Sequence, residues 1–241
     1  MGSKKSLLRY QRVLLKLSGE AFAGEQKFGI EQRRLGWISD QLRAAMALKA
    51  ELAIVVGGGN FFRGGREGWG LSDRVNVDYL GMLGTIMNAV ALQEALSQRE
   101  IEARVLSAIE VPNICEPYIR PRALAHLRKG RIVILAAGTG NPFFTTDTAA
   151  ALRALELQAQ ALFKATRVKG VYDCDPEKNP KAKFFPELSY NKALGKDLKV
   201  IDAAALSLCR EQNLPILVFD LFTEGNLRKA LRGEQVGTLI K

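Results

Sequence analysis

The stretch "LAIVVGGGNFFRGG", Leu52 to Gly65, decides how this chain is read. Leu52–Val56 is aliphatic throughout, and a short continuous apolar run closed by glycine is the pattern of a strand buried on both faces of a parallel sheet. Gly57, Gly58 and Gly59 follow at once. Lacking a Cβ, they let backbone N–H groups come close to an anion, and Arg63 lies near enough along the chain to add a charge-assisted contact. A plain tight turn would also use three glycines. The stretch therefore establishes a strand exit suited to an anion, but not which anion.

The same pattern repeats on both sides of it. "RVLLKLSG" (Arg12–Gly19) reads as a strand leaving through Ser-Gly, and Glu31–Ala50 as a helix with apolar residues at helical spacing. Val77–Arg99 reads as a long helix, apolar on most faces and so buried on more than one side. "EARVLSA" and Arg131–Gly138 read as strands, Thr146–Ala159 as a helix, and Ala161–Thr166 as a strand. Val200–Asn213, Leu214–Asp220 and Asn226–Gly233 then read as helix, strand and helix before a closing "GTLI". Apolar strands alternating with helices predict an α/β fold with a mostly parallel sheet covered on both faces. In such sheets ligands bind beyond the carboxyl ends of the strands. That rule singles out four exits: "LKLSGEAF", "VVGGGNFFRG", "AAGTGNPFFTTD" and "KATRVKGVYDCDP". Asp173–Phe184, rich in Pro, Asp and Lys, is the predicted flexible segment.

The 241 residues, 47% hydrophobic and 25% charged, suit one α/β domain or two tightly joined lobes with a sizeable core. There is no run of about 18 apolar residues, so no membrane span is expected. "MGSKKSLLRYQR" lacks an apolar segment with a cleavage site, which leaves the cytoplasm as the expected compartment. Cys115, Cys174 and Cys209 are far apart in sequence and speak against a zinc or disulfide framework. His126, the only histidine, reads as a surface helix residue, because metal and catalytic sites need converging partners. The net charge of +10 favours anionic partners. It is spread without a block of like charges, which weakens nucleic acid as the partner and leaves small phosphorylated ligands and an ordinary solvated surface.

The loops exclude two common phosphate sites. Gly59 and Gly64 have Walker spacing, but Gly65 and Arg66 follow where Lys and Ser/Thr belong. Gly57 and Gly59 are followed by Phe62, and Gly138 and Gly140 by Phe143, so the dinucleotide fingerprint fails twice. What remains still suits phosphate. Lys16 sits in an apolar strand, where its ammonium needs a partner unless the strand is an edge facing water. Thr146 or a neighbour caps the helix that carries Asp147, and a helix start attracts anions. A phosphate acceptor is already an anion and needs no general base. Its difficulty is charge repulsion, which lysine, arginine, backbone amides and a metal ion relieve.

Taken together, "LLKLSGEAF", "VVGGGNFFRG", "DYLGMLGTIMNA", "AAGTGNPFFTTD", "KATRVKGVYDCDP" and the closing "GTLI" resemble the amino acid kinase superfamily, and within it the bacterial-type uridylate (UMP) kinases. The resemblance runs from Arg12 to Lys241. It implies a three-layer α/β/α sandwich with a mostly parallel central sheet of about eight strands. It implies a single domain over 1–241, with an acceptor (UMP) lobe over roughly 10–150 and an ATP lobe over roughly 151–241. The implied reaction moves the γ-phosphoryl group of ATP to UMP with Mg²⁺. By the same resemblance, Lys16, Leu17, Ser18 and Gly19 hold the ATP phosphates, and Gly58 and Gly59 lie where the two phosphate groups meet. Arg63 grips the UMP phosphate and supports the transferring group, and Asp78 holds the ribose. Thr139, Gly140, Asn141, Pro142, Phe143, Phe144, Thr145 and Thr146 wrap the nucleoside. Asp147 orients Lys16 and the metal-bound phosphates. Thr166, Tyr172 and Asp175 line the adenosine pocket, and Asp202 is a further acidic candidate near the ATP phosphates and metal. The implied assembly is a homohexamer built from dimers that meet on the long helix, with GTP and UTP as effectors. Gln93 and Ser97 stand where some relatives carry basic side chains, while Arg104 and Arg131 remain, which leaves GTP activation open.

Two alternatives remain at this level. One is another superfamily enzyme, such as an aspartate, acetylglutamate or carbamate kinase, which would not need "GTGNPFFTTD". The other is a nucleotide-sensing or nucleic-acid-binding protein on the same fold, which could dispense with Lys16, Arg63 and Asp147.

Overall fold

The computed structural model describes residues 8–26, 28–62, 73–195 and 200–241. In chain order the elements are β1 (Arg12–Leu17), α1 (Glu20–Ala23), α2 (Gln32–Met46), β2 (Glu51–Val56), α3 (Arg74–Ser97), β3 (Ala103–Ser107), β4 (Glu116–Pro117) and α4 (Arg120–Arg128). They continue with β5 (Ile132–Ala136), α5 (Thr146–Glu156), β6 (Ala161–Thr166), β7 (Val171–Tyr172), β8 (Phe184–Phe185) and β9 (Glu187–Leu188). The last are α6 (Tyr190–Gly195), α7 (Ala203–Glu211), β10 (Ile216–Asp220), α8 (Asn226–Arg232) and β11 (Gly237–Ile240). Among the described residues, nine strands form one sheet in the order β4-β3-β5-β2-β1-β6-β10-β11-β9, while β7 and β8 make a separate hairpin. Among the described residues, only β10 and β11 pair antiparallel within the large sheet. These nine strands, of which β4 and β9 are two-residue edges, agree with a sheet of about eight.

Strand residues alternate between two cores. Val13, Leu15 and Leu17 of β1 join Leu52, Ile54 and Val56 of β2 beneath α2, α3 and α8. Leu14, Ala53 and Val55 face the other way, under α4, α5, α6 and α7. Both faces being apolar is why β1 and β2 show no polar alternation, and each fully buried aliphatic side chain contributes about 1.5–3 kcal/mol. α3 begins earlier than its apolar pattern because Asp73 accepts a hydrogen bond from the Val75 N–H at 2.9 Å and caps it. By length and composition α3 could cross a bilayer, but Met82, Ile86, Ala89, Leu92 and Leu96 are buried on the sheet, as in the core helix of a globular domain. α7 starts at Ala203 rather than Val200 because Asp202 caps it.

The chain leaves β1 on one side to build β2, β5, β3 and β4, and returns on the other side as β6, β10 and β11. β1 and β6 therefore flank the point where strand order reverses. That point is where doubly wound sheets open a crevice beyond their carboxyl ends. The segment 173–184 is the connection within the β7–β8 hairpin, closed by Asp173 N–H donating to Lys183 O at 3.1 Å and Lys183 N–H donating to Asp173 Oδ1 at 2.8 Å.

Candidate active site

A cleft of about 560 Å³ opens at this reversal, lined from β1 by Lys16, from the β1–α1 turn by Ser18 and Gly19, and from the β2 exit by Gly57, Gly58 and Gly59. The floor carries a compact charge cluster. Lys16 and Lys164 sit opposite each other in the β1–β6 register. Both share the face of Leu14 and Leu162, against α5. Asp147 in the first turn of α5 reaches both: its Oδ1 lies 2.8 Å from Lys16 Nζ, and its Oδ2 accepts a hydrogen bond from Lys164 Nζ. Lys16 is 8% exposed, and the Asp147 and Lys164 side chains are nearly as buried. Burial alone would raise the Asp147 carboxyl, but the charges of Lys16 and Lys164 outweigh it and hold the carboxyl below its usual range. Lys164 is pushed down, first by burial and then by repulsion from Lys16, against the pull of Asp147 and Asp202. Two ammonium groups against one carboxylate leave a buried net positive charge, which an incoming polyanion would neutralise. Sequence reading missed Lys164. The signal was present, a lysine inside the apolar run "ALFKAT", but its value depends on the register with Lys16.

The glycine exit has a packing reason of its own. A Cβ on Gly58 would lie 2.4 Å from the Gly81 carbonyl of α3, and a Cβ on Gly19 would lie 2.5 Å from the Gly59 nitrogen. Strand exit, α3 and the β1–α1 turn thus close backbone against backbone. Asn60 and Asn88 lock them with reciprocal side-chain hydrogen bonds, and Asn88 also donates to Gly57 O at 2.7 Å. The Gly58→Ala variant should lower the thermal midpoint by about 5–10 °C, since backbone has to move, at about 1–3 kcal/mol for overpacking. Calorimetry of the two proteins measures it; an unchanged midpoint would mean the exit yields freely.

Opposite this exit lies the β5–α5 loop. Ala137, Gly138, Gly140 and Phe143 all have positive φ, so the chain coils tightly before Thr145 caps α5 by accepting from the Asp147 and Thr148 N–H groups. Thr139, Asn141, Phe144, Thr145 and Thr146 line the cleft. Gly140, Pro142 and Phe143 belong to the loop but not to the lining, and Phe143 is largely exposed. Asp78 of α3 lines the cleft and holds this loop, accepting from the Phe143 N–H at 2.7 Å. The Leu17 side chain is wholly in the core, and its carbonyl accepts the Gly57 N–H. Only its backbone could meet a ligand.

Other expected residues are placed differently. Thr166 lines the cleft with its hydroxyl turned to Val168 O. Tyr172 packs on Phe184 in the β7–β8 hairpin, and Asp175 caps the turn that follows through the Glu177 N–H. Neither lines the cleft. Asp202 is held by the hydroxyls of Thr145 and Thr148 and by the Ala205 N–H, so it ties the start of α5 to the start of α7. Arg63 lies outside the described residues. Gln93, Ser97 and Arg104 share a separate depression on the α3–β3 side, and Arg131 pairs with Glu102. His126 is not a free surface residue: it is half-buried between Glu116 and Arg131.

Residues 11–220 match the model of the amino acid kinase family. The fold superposes on the crystal structure of a UMP kinase from Bacillus anthracis with a TM-score of 0.92 and 42% identity, covering 96% of each chain. A UMP kinase from Ureaplasma parvum matches at 0.90 and 34% identity, over 97% of this chain and all of the other. A uridylate kinase from Archaeoglobus fulgidus matches at 0.72 and 28% identity, over 95% and 99%.

Proposed function

We propose that this chain, which belongs to the amino acid kinase family, transfers the γ-phosphoryl group of ATP to UMP, giving UDP and ADP for pyrimidine nucleotide biosynthesis. The observation that carries the proposal is the buried Lys16–Asp147–Lys164 cluster at the strand-order reversal, set between two glycine exits. Neither substrate needs deprotonation. Transfer between two phosphates demands charge neutralisation and alignment, and a preorganised net positive floor supplies the first.

In this proposal Lys16, Ser18, Gly19 and Lys164 receive the ATP phosphates. Gly58 and Gly59 lie where the donor and acceptor phosphates meet, and Arg63 grips the acceptor phosphate and supports the transferring group. Asp78 and the loop from Thr139 to Thr146 hold the nucleoside. Thr166 begins the adenosine side, toward Tyr172 and Asp175. Apart from the β1 exit, which meets the ATP phosphates, roughly 10–150 would serve as acceptor lobe and roughly 151–241 as ATP lobe. Mg²⁺ would be carried chiefly by the phosphates of ATP, whose charge it neutralises. The carboxylates nearest the floor suit that arrangement: Asp147 is engaged by two lysines, and Asp202 by two threonines and a helix start. The outer face of α3 presents Tyr79, Leu80, Leu83 and Met87, an apolar stripe that pairing of two copies would cover, and a homohexamer of such dimers in the cytoplasm completes the proposal.

ADP release measured with UMP, CMP, aspartate and acetylglutamate tests the proposal; preference for a carboxylate acceptor would overturn it. The same assay with GTP and with UTP reads regulation. Arg63→Ala should raise the KM for UMP and lower kcat together, each by about tenfold, because one charge-assisted contact serves acceptor and transferring group. An effect confined to the KM for ATP would remove Arg63 from the acceptor side.

A further inference from the structure

Asp78 is held from two directions. Its Oδ1 accepts from Arg74 Nε at 2.8 Å, and its Oδ2 accepts from the Phe143 N–H at 2.7 Å. The Asp78 side chain is mostly buried, while that of Arg74 is half exposed, and both line the cleft. The pair has little to offer the helix itself. Arg74 is the first residue of α3, where the positive end of the helix dipole opposes a cation. Arginine placed four residues before the acid is also the weaker order of an i, i+4 pair. The function of the contact is therefore at Asp78. A carboxylate has about four acceptor positions, of which these two donors occupy two. The remaining pair, fixed in direction by a guanidinium on one side and the β5–α5 loop on the other, suits two neighbouring hydroxyl donors. A ribose presents such a pair in its 2′ and 3′ hydroxyls; a 2′-deoxyribose does not.

We propose that Arg74 is the positioning residue that sets the Asp78 carboxylate to read both ribose hydroxyls, so that preference for a ribonucleotide over a 2′-deoxyribonucleotide acceptor passes through the Arg74–Asp78–Phe143 clamp. This rests on the UMP kinase proposal and on Asp78 meeting the ribose. Where a site hydrogen-bonds a substrate hydroxyl, the analogue lacking it leaves a polar group unpaired, which is how a small chemical difference becomes a large discrimination. Loss of the guanidinium frees the carboxylate to rotate and weakens that reading, without touching the phosphates being exchanged.

The test is kcat and KM for UMP and for 2′-deoxy-UMP at saturating ATP, in the wild type and in Arg74→Met, Arg74→Lys, Asp78→Asn and the Met/Asn double variant. Arg74→Met should raise the KM for UMP about tenfold, the worth of one charge-assisted hydrogen bond, with kcat within about twofold. The 2′-deoxy-UMP constants should shift less than about twofold, so the preference in kcat/KM falls about tenfold. Arg74→Lys should keep most of the preference. Asp78→Asn should lose it, and the double variant should lose no more than Asp78→Asn alone. Arg74→Met should unfold within about 2 °C of the wild type. Equal effects on both acceptors, or a lower midpoint with the preference intact, would overturn the proposal and leave Arg74 a structural residue. A wild type that does not turn over UMP would instead overturn the UMP kinase reading, and is seen before any variant is made.

Discussion

Asp147→Asn is expected to lower kcat by about a hundred- to a thousandfold, the range seen when one preorganised oxyanion-hole donor is removed from an acyl-transfer site. The Kd of each nucleotide should stay within about tenfold. Asp147 touches both lysines of the floor, so its loss frees two ammonium groups that repel each other while leaving the glycine exits and the nucleoside loop in place. Single-turnover kinetics beside equilibrium binding separate these quantities; an unchanged kcat would remove Asp147 from the mechanism. The variant also has a pH signature. Because the lysines hold the Asp147 carboxyl below its usual 3.8, the stability it contributes is fully present above that pH and disappears as pH falls through the lower folded value. The difference in thermal midpoint between wild type and variant should therefore be full at pH 5 and above, about one unit over the ordinary carboxylate range, and should close in strong acid. A gap that stays constant in acid would mean the carboxylate charge is not what the lysines recognise.

Lys16→Met should cost about a thousandfold in kcat, yet should not lower stability. Lys16 is buried beside a second ammonium, and its removal leaves a neutral Asp147–Lys164 pair, with an unbranched apolar side chain of similar length in its place. Activity and stability should thus move apart, with the midpoint equal to or above that of the wild type. Loss of both together would make Lys16 a structural residue. Lys16→Arg should not restore activity, because a planar fork does not substitute for a compact ammonium in a strand covered by α5.

Much of this architecture was readable in advance, for identifiable reasons. The strands leading to the cleft are buried on both faces, which writes them as uninterrupted apolar runs, and their exits carry the residues that a parallel sheet presents to ligands. Asp147 stood out because it follows a cap. Lys164 did not, although it is the chemical twin of Lys16, because strand register is settled by packing between distant segments. The glycines were legible as a tight approach, but the near partner of two of them is backbone, at Gly81 and Gly59. Asp202 reads as an acid near the ATP phosphates and metal, and nothing local shows that Thr145 and Thr148, at the start of another helix, engage it. Nothing local in "GVYDCDP" separates a residue that lines a cleft from one that closes a hairpin, and Tyr172 and Asp175 do the latter.

The register that sets Lys16 opposite Lys164 also bears on how the molecule is made. The central seam of the sheet joins a strand near the beginning of the sequence to one from its second half, a long-range pairing of the kind that slows folding. Two ammonium groups must surrender their hydration as that seam closes, and α5 has to arrive with its carboxylate for the closure to be favourable. Until then both lysines remain hydrated and the cleft has no floor. A half-folded chain therefore carries no assembled phosphate site, and nucleotide binding to this cleft reports on completed folding of the two halves together.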